Sequence, residues 1–273
     1  VYKPIISNLS RFGQVIEDEA RARAFVDLLR SRQSPGIANQ NLSLLKSFGT
    51  WCVDTGVWSE NHFKPIARLK RVNTVSDRDP FTLDELSQIF TVLQEDKYYS
   101  HYHDFCLALL NLGLRPSEAI GLRWSHIDLS KRRVNICESL SRSPDGRTSG
   151  YARQRKGTKT GTNGVLPLPD VLRTALTARW QPDTKPDDLV FLSPKGKPID
   201  DHTFSQRVWH KVLSKAGVRY RCPYTLRHTL ISYGIEDKGW SLPQAARIAR
   251  HRSTRMVQET YGHMINLPEM PEF

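Results

Sequence analysis

Apolar residues recur at helical spacing along most of this chain and alternate only in short stretches. Between residues 17 and 32, Ala20, Ala24, Phe25, Leu28 and Leu29 predict an amphipathic helix. Acidic Glu17, Asp18 and Glu19 stand at its start and Arg30 and Arg32 at its end, as the helix dipole favours. Ile37, Leu42, Leu45, Phe48, Trp51 and Cys52 predict a second, longer helix that stops near Gly56. Pro65 opens a short tail. Residues 71–80 are polar and aperiodic, so a linker is expected over 73–80. It divides a helical domain, 1–72, from a second domain, 81–273, whose tail is 264–273.

Past the linker, Thr82-Leu83-Asp84-Glu85 has the spacing of a capping box and predicts a helix start. Residues 101–114 read as a strongly apolar helix. Pro116 stands where another helix can begin, since proline suits the first helical position. Strands at 127–129 and 134–136 flank Ser130-Lys131-Arg132-Arg133 and predict a hairpin. Val165-Leu166-Pro167-Leu168 predicts a third strand, placed at a sheet edge by Pro167. Helices are expected near 170–180, 201–216, 224–238, 242–250 and 253–261. The fold class is therefore mainly α with a small antiparallel β-sheet in the second domain.

Composition narrows the function classes. The 273 residues carry a formal net charge of +12, which favours a polyanionic partner such as nucleic acid or an acidic lipid surface. No apolar run approaches the ~20 residues of a membrane helix. The start at Val1 has no signal-peptide pattern and no methionine, so the chain reads as a fragment that something N-terminal could precede. Cys52, Cys106, Cys137 and Cys222 are far apart and lack CxxC spacing, which argues against a zinc site and for reduced thiols in the cytoplasm or nucleoid. No carboxylate cluster resembles a two-metal nuclease.

Several segments carry candidate chemistry. In Leu112-Gly113-Leu114-Arg115-Pro116-Ser117-Glu118, an arginine between two apolar residues is either held by Glu118 or aimed into a cleft. In Pro223-Tyr224-Thr225-Leu226-Arg227-His228-Thr229, Tyr224 and Arg227 lie three apart and share a helix face, with Leu226, Leu230 and Ile231 toward the core. Arg147, Arg153, Arg155, Lys156 and Lys159 form a basic run without an acidic residue, on a turn rich in glycine and threonine. Such a run contacts phosphate, which makes Arg147, Arg153, Arg155 and Lys156 candidate DNA-binding residues. Near the C-terminus, Tyr261 follows Arg250, His251, Arg252 and Arg255 and precedes Gly262. Alone, it reads as a packed aromatic at a helix end or as a nucleophile.

The segments "LGLRPSEAIGLRW", "KTGTNGVLPL", "YTLRHT", "ARH" and "ETYGH", in that order, make residues 80–265 resemble the catalytic domain of the tyrosine recombinases, the phage integrase family. The resemblance implies a catalytic set of Arg115, Lys159, Arg227, His251 and the nucleophile Tyr261. Tyr224 stands where the family usually has the histidine of H-x-x-R, and is expected to hydrogen-bond a phosphate or a neighbouring base. His228 follows the arginine and is expected to point elsewhere. The resemblance further implies a two-domain clamp on double-stranded DNA, with 1–72 as core-binding domain, and a homotetramer on two recombination sites. Accessory DNA-bending proteins are further candidate partners. Strand cleavage and rejoining would pass through a 3′-phosphotyrosine link, with no metal, ATP or other cofactor. Two guanidiniums would grip the nonbridging oxygens, and Lys159 would protonate the leaving 5′ oxygen. A type IB topoisomerase-like nicking-closing enzyme and a non-catalytic DNA-binding regulator are the competing readings.

Overall fold

The computed structural model describes residues 3–13, 15–70, 79–142, 153–157, 164–251 and 253–262, without the side chains of residues 3, 4 and 142. The chain divides into two compact units, Val1–Ser76 and Asp77–Phe273. Of the linker expected at 73–80, all but 79–80 lies outside the described residues.

The first unit is helical: α1 (Lys3–Phe12), α2 (Glu19–Arg32) and α3 (Pro35–Asp54). Asp18 caps α2, its carboxylate accepting from the Arg21 N–H at 2.7 Å. Pro35 starts α3, and Gly56, in the left-handed region at φ +73°, ends the turn after it. The buried face of α2 is Ala22, Phe25, Val26 and Leu29, whereas Ala20 and Ala24 are exposed. The true stripe follows i, i+3, i+4, i+7, so the expected face was rotated. Ile37, Phe48 and Trp51 also face outward from α3, and Ala38, Leu42, Leu45 and Cys52 face inward.

In the second unit α4 (Leu83–Glu95) opens with the expected capping box: Thr82 Oγ1 accepts from the Glu85 N–H at 3.1 Å and Glu85 Oε2 from the Thr82 N–H at 2.9 Å. The apolar helix is shorter than 101–114: α5 (His103–Asn111) is preceded by a 3₁₀ turn, Ser100–Tyr102. After α5 the chain turns at Gly113, φ +54°, and re-enters a helix at α6 (Pro116–Ile120). The predicted hairpin is β1 (Ile127–Asp128) against β2 (Arg133–Ile136). Two more strands, β3 (Glu138–Arg142) and β4 (Arg153–Gly157), pair with each other and were not expected. Strand β5 (Gly164–Pro167) lies at the edge of the order β1-β2-β5, with Pro167 opposite Arg133, as its proline requires.

Helix α7 (Asp170–Arg179) leads to one nearly continuous helical run of α8 (Asp201–Thr203), a π-helical stretch (Phe204–Trp209) and α9 (His210–Lys215). Phe81, Phe105, Phe191, Phe204 and Trp209 form the aromatic centre of the core, and the Trp209 indole N–H finds the Arg221 carbonyl at 2.7 Å. The last helices are α10 (Thr225–Glu236), α11 (Leu242–Ile248) and α12 (Arg255–Tyr261).

Helix α10 is the hub. Thr225, Leu226, Arg227, Thr229, Ile231, Ser232, Gly234 and Ile235 are all buried, so it is packed on several sides rather than along one stripe. Ile231 and Ile235 meet Ala245, Ala246 and Ala249 around α11 and Val257 and Tyr261 of α12 in a separate small core. Trp240 packs against that core, and Gly234 makes room for it: a Cβ at 234 would lie 2.1 Å from the Trp240 ring. Gly234→Ala should therefore destabilise the protein by about 1–3 kcal/mol through overpacking, read as a lowered urea midpoint with altered Trp240 fluorescence.

Candidate active site

The turn between α5 and α6 begins the site. Gly113 adopts a conformation open to glycine, which turns the backbone so that its carbonyl faces inward and Arg115 caps α6. Glu118 reaches back to both ends of Arg115: Oε2 accepts from the backbone N–H at 2.9 Å and Oε1 from the guanidinium at 2.6 Å. Of the two sequence alternatives for Arg115, Glu118 is its anchor. The Arg115 side chain keeps 20% exposure and, among the described residues, donates to Glu118 alone, so it retains N–H groups for a ligand.

Arg227 arrives from the buried hub helix and is only 1% exposed. It donates to the Gly113 carbonyl at 2.5 Å and to the Ala249 carbonyl, and another N–H lies 3.2 Å from Nε2 of His251. Its guanidinium carbon is 5.8 Å from the centre of the Tyr224 ring, as their three-residue spacing predicts. Arg250, which the sequence reading passed over, completes the cluster. At φ +51° its backbone turns sharply after α11 and sends the side chain inward. It donates to the carbonyls of Ile248 (2.9 Å) and Gly113 (3.0 Å) and to Glu118 Oε2 (2.6 Å). Gly164, at the start of β5, passes so close that a Cβ there would lie 2.8 Å from the Arg250 side chain.

Three guanidiniums thus surround one carboxylate. Burial alone would raise the Glu118 pKa, but Arg250, the Arg115 N–H, Arg115 and Arg227 outweigh it and hold the group below the usual carboxylate range. Arg227 is pushed down to about 10 by burial first; Tyr224 opposes the shift, and Arg250 and Arg115 add to it. It stays charged at neutral pH. Burial, then Arg227, Arg115 and Arg250, push His251 down to about 4, so its ring is neutral. With Nε2 facing a guanidinium donor, the ring proton belongs on Nδ1, which has no partner among the described residues. The arrangement is a cluster of fixed donors in a partly dry setting, with chemistry suited to an anion. Among the described residues no three of His, Cys, Asp and Glu converge to hold a metal ion.

Tyr261 is the final residue of α12 and only 3% exposed, packed in the small core with Val257 and the α11 alanines. The packed-aromatic reading describes its ring, and its hydroxyl is hydrogen-bonded to Nδ1 of His228. As expected, His228 points away from Arg227; its partner on α12 was not anticipated. One residue past Arg227 on α10, it is rotated by about 100° from the arginine, which aims it at α12.

Other expected residues fare differently. Lys159 and Arg147 lie outside the described residues. Arg153 is not a free phosphate contact: its side chain is 3% exposed and donates to Asp201 at 2.7 Å and to the Ile199 carbonyl at 3.0 Å. Arg155 is 61% exposed but donates through Nε to Glu138 at 2.6 Å, a carboxylate it shares with Arg123. Lys156 is exposed on β4. A clue to Arg250 was present in the sequence: it follows the small residues Ala245, Ala246 and Ala249, whose spacing marks a tightly packed face.

Replacing Glu118 with glutamine leaves two guanidiniums without their shared counter-charge. The expected loss is about 3–5 kcal/mol in urea unfolding, as for other broken buried pairs. For His251 the folded-state pKa lies below the ordinary value, so the unfolded chain binds the proton first. Stability should fall as pH drops from about 6.5 toward 4. A His251→Gln variant should show a smaller decline in melting temperature across that window.

The phage integrase family matches residues 80–266. IntQ of Escherichia coli strain K12, described as a defective protein, is 26% identical over 81% of this chain, which spans 58% of that relative's length. Tyrosine recombinase XerC of Yersinia pestis is 24% identical over 90% of this chain and 71% of its own. Among solved structures, the Tn1549 transposon integrase in complex with a circular intermediate DNA superposes with a TM-score of 0.76 at 17% identity, over 93% of this chain and 87% of that one. By the matched span, the order of its motifs and the fold that gathers them, the chain belongs to the phage integrase family, the tyrosine recombinases.

Proposed function

We propose that this chain is a site-specific recombinase that cuts and rejoins duplex DNA through a 3′-phosphotyrosine link. The observation that carries the reading is the convergence of Arg115, Arg227 and His251 in one hydrogen-bonded cluster around Glu118, Gly113 and Arg250, together with a helix whose last residue is Tyr261. Transfer of a phosphoryl group between oxygens builds negative charge on the nonbridging oxygens. Arg115 and Arg227 offer charge-assisted donors there, His251 accepts from Arg227 at Nε2 and helps orient it, and Arg250 with Glu118 keeps the two arginines in place. A phenol ester of phosphate conserves the energy of the broken bond, so a DNA hydroxyl can reverse it. Lys159 is the proposed donor to the leaving 5′ oxygen.

The unit Val1–Ser76 is the proposed core-binding domain, and Asp77–Phe273 the catalytic one. Double-stranded DNA is the partner, engaged by a homotetramer on two sites, with accessory DNA-bending proteins where the site needs them. Among the described residues no helix is long and apolar enough to cross a membrane; a cytoplasmic location belongs to the proposal. Arg155 and Lys156 are proposed phosphate contacts on β4, consistent with the net charge of +12.

The test uses a pool of nicked duplexes of random sequence, from which the freed fragment diffuses away after cleavage. Wild type should leave an SDS-resistant protein–DNA adduct, and sequencing the attached strands identifies the sites cut. Tyr261→Phe should bind the same duplexes and give no adduct. Arg227→Lys should lose about 10²–10³-fold in adduct rate, because lysine lacks the planar fork. No adduct from wild type would sink the reading in favour of a DNA-binding regulator. Relaxation of supercoiled DNA by a monomer, with no joint product from two sites, would turn it into a topoisomerase. Lys156→Ala should weaken DNA binding across sequences and reduce the log–log salt slope by about one.

A further inference from the structure

We infer that His228 is the group that takes the proton from Tyr261 when the phenol attacks DNA phosphorus. The inference rests on the proposed recombinase reading and adds a residue to it. His228 Nδ1 is hydrogen-bonded to the Tyr261 hydroxyl, and the two rings lie 5.8 Å apart at a tilt of 44°. Tyr224 meets the His228 ring edge-on, 4.9 Å between centroids at 76°, and so sets the plane in which the imidazole faces α12. The titratable and charged groups that the described residues bring against His228 are Tyr224, from the start of its own helix, and Tyr261, from α12. The Arg227 guanidinium lies on the Tyr224 ring.

The neighbours are poorly placed for the task. Tyr224 occupies the first position of the H-x-x-R pattern, and a phenol is a weak proton acceptor near neutral pH. His251 turns Nε2 to Arg227 and sits among three guanidiniums, which resist a further positive charge. His228 has an sp² nitrogen already on the reacting oxygen. An accepting Nδ1 requires the tautomer protonated at Nε2.

The bond from the Tyr261 oxygen to phosphorus forms and the bond from phosphorus to the DNA 5′ oxygen breaks. The phenol proton passes to Nδ1 of His228, and the leaving 5′ oxygen takes a proton from a second donor, proposed to be Lys159. On rejoining, His228 returns its proton to the departing phenol, and the attacking hydroxyl gives its own back to the second donor.

The experiment measures the rate of adduct formation on a nicked duplex that wild type cleaves. His228→Asn places an amide near the position of Nδ1 without a basic nitrogen. With melting temperature and DNA retention near wild type, it should lose about 10²-fold or more in adduct rate. Genetic incorporation of 2,3-difluorotyrosine at position 261, a phenol that ionises without help, should return His228→Asn to within about tenfold of the wild-type chain carrying the same residue. An unchanged rate in His228→Asn, or a loss that difluorotyrosine does not repair, overturns the inference and leaves the recombinase reading standing. A faster rate would make His228 a latch on the phenol and also overturns it. Should His228→Asn not fold, the wild-type chain decides. Its adduct rate should fall on acidification, as an imidazole acceptor becomes protonated, and fall less with difluorotyrosine at 261; parallel falls overturn the inference. Absence of any adduct from wild type strikes the recombinase reading itself.

Discussion

The site depends on one buried carboxylate. Arg227 and Arg250 both donate to the Gly113 carbonyl, Arg115 and Arg250 share Glu118, and like charges gathered in a poorly solvated space repel strongly. Glu118 makes the arrangement possible by serving Arg115 through one oxygen and Arg250 through the other. It also caps the helix on which it sits, so its position is fixed by backbone geometry as well as by charge. The result is an excess of positive charge held rigid before any anion arrives. Preorganisation of this kind is what a phosphoryl-transfer site needs, because the donors do not have to reorganise as charge develops.

Helix α10 divides the labour between two neighbouring residues. Arg227 points to the polar cluster, and His228, the next residue, points to the small apolar core around Tyr261. A helix exposed on one face could not supply both. Because α10 is buried nearly all round, each turn of its surface meets a different part of the fold. The alanines at 245, 246 and 249 let α11 approach closely, which brings the end of α12 against α10.

Local signals in the sequence carried much of the fold. The capping box at Thr82, the hairpin around residues 130–133 and the edge strand at Pro167 all follow from chemistry confined to a few residues. That Arg115, Arg227 and His251 come together was likewise implied by the resemblance their motifs carry. What escaped depends on distant partners. Strand β4, Arg153–Gly157, has no apolar alternation to reveal it, and its pairing with β3 is set by the chain that returns to it. Arg153 looks like surface charge until Asp200 and Asp201 arrive from elsewhere in the fold. Arg250 sits in a basic run that reads as solvated, and only a positive φ turns it inward. His228 points away from Arg227 as its place on the helix requires, but spacing along a helix fixes a direction and not what waits there.

Gly164 ties these pieces to evolution. It has no functional group and belongs to a sheet, yet any side chain there would push the aliphatic stem of Arg250 away from Glu118. A constraint on the guanidinium cluster therefore reaches a residue that adds no side chain to it. In a mutational scan, position 164 should be as intolerant as the arginines themselves, and a reader of such a map would take a bare stretch of backbone for a catalytic group.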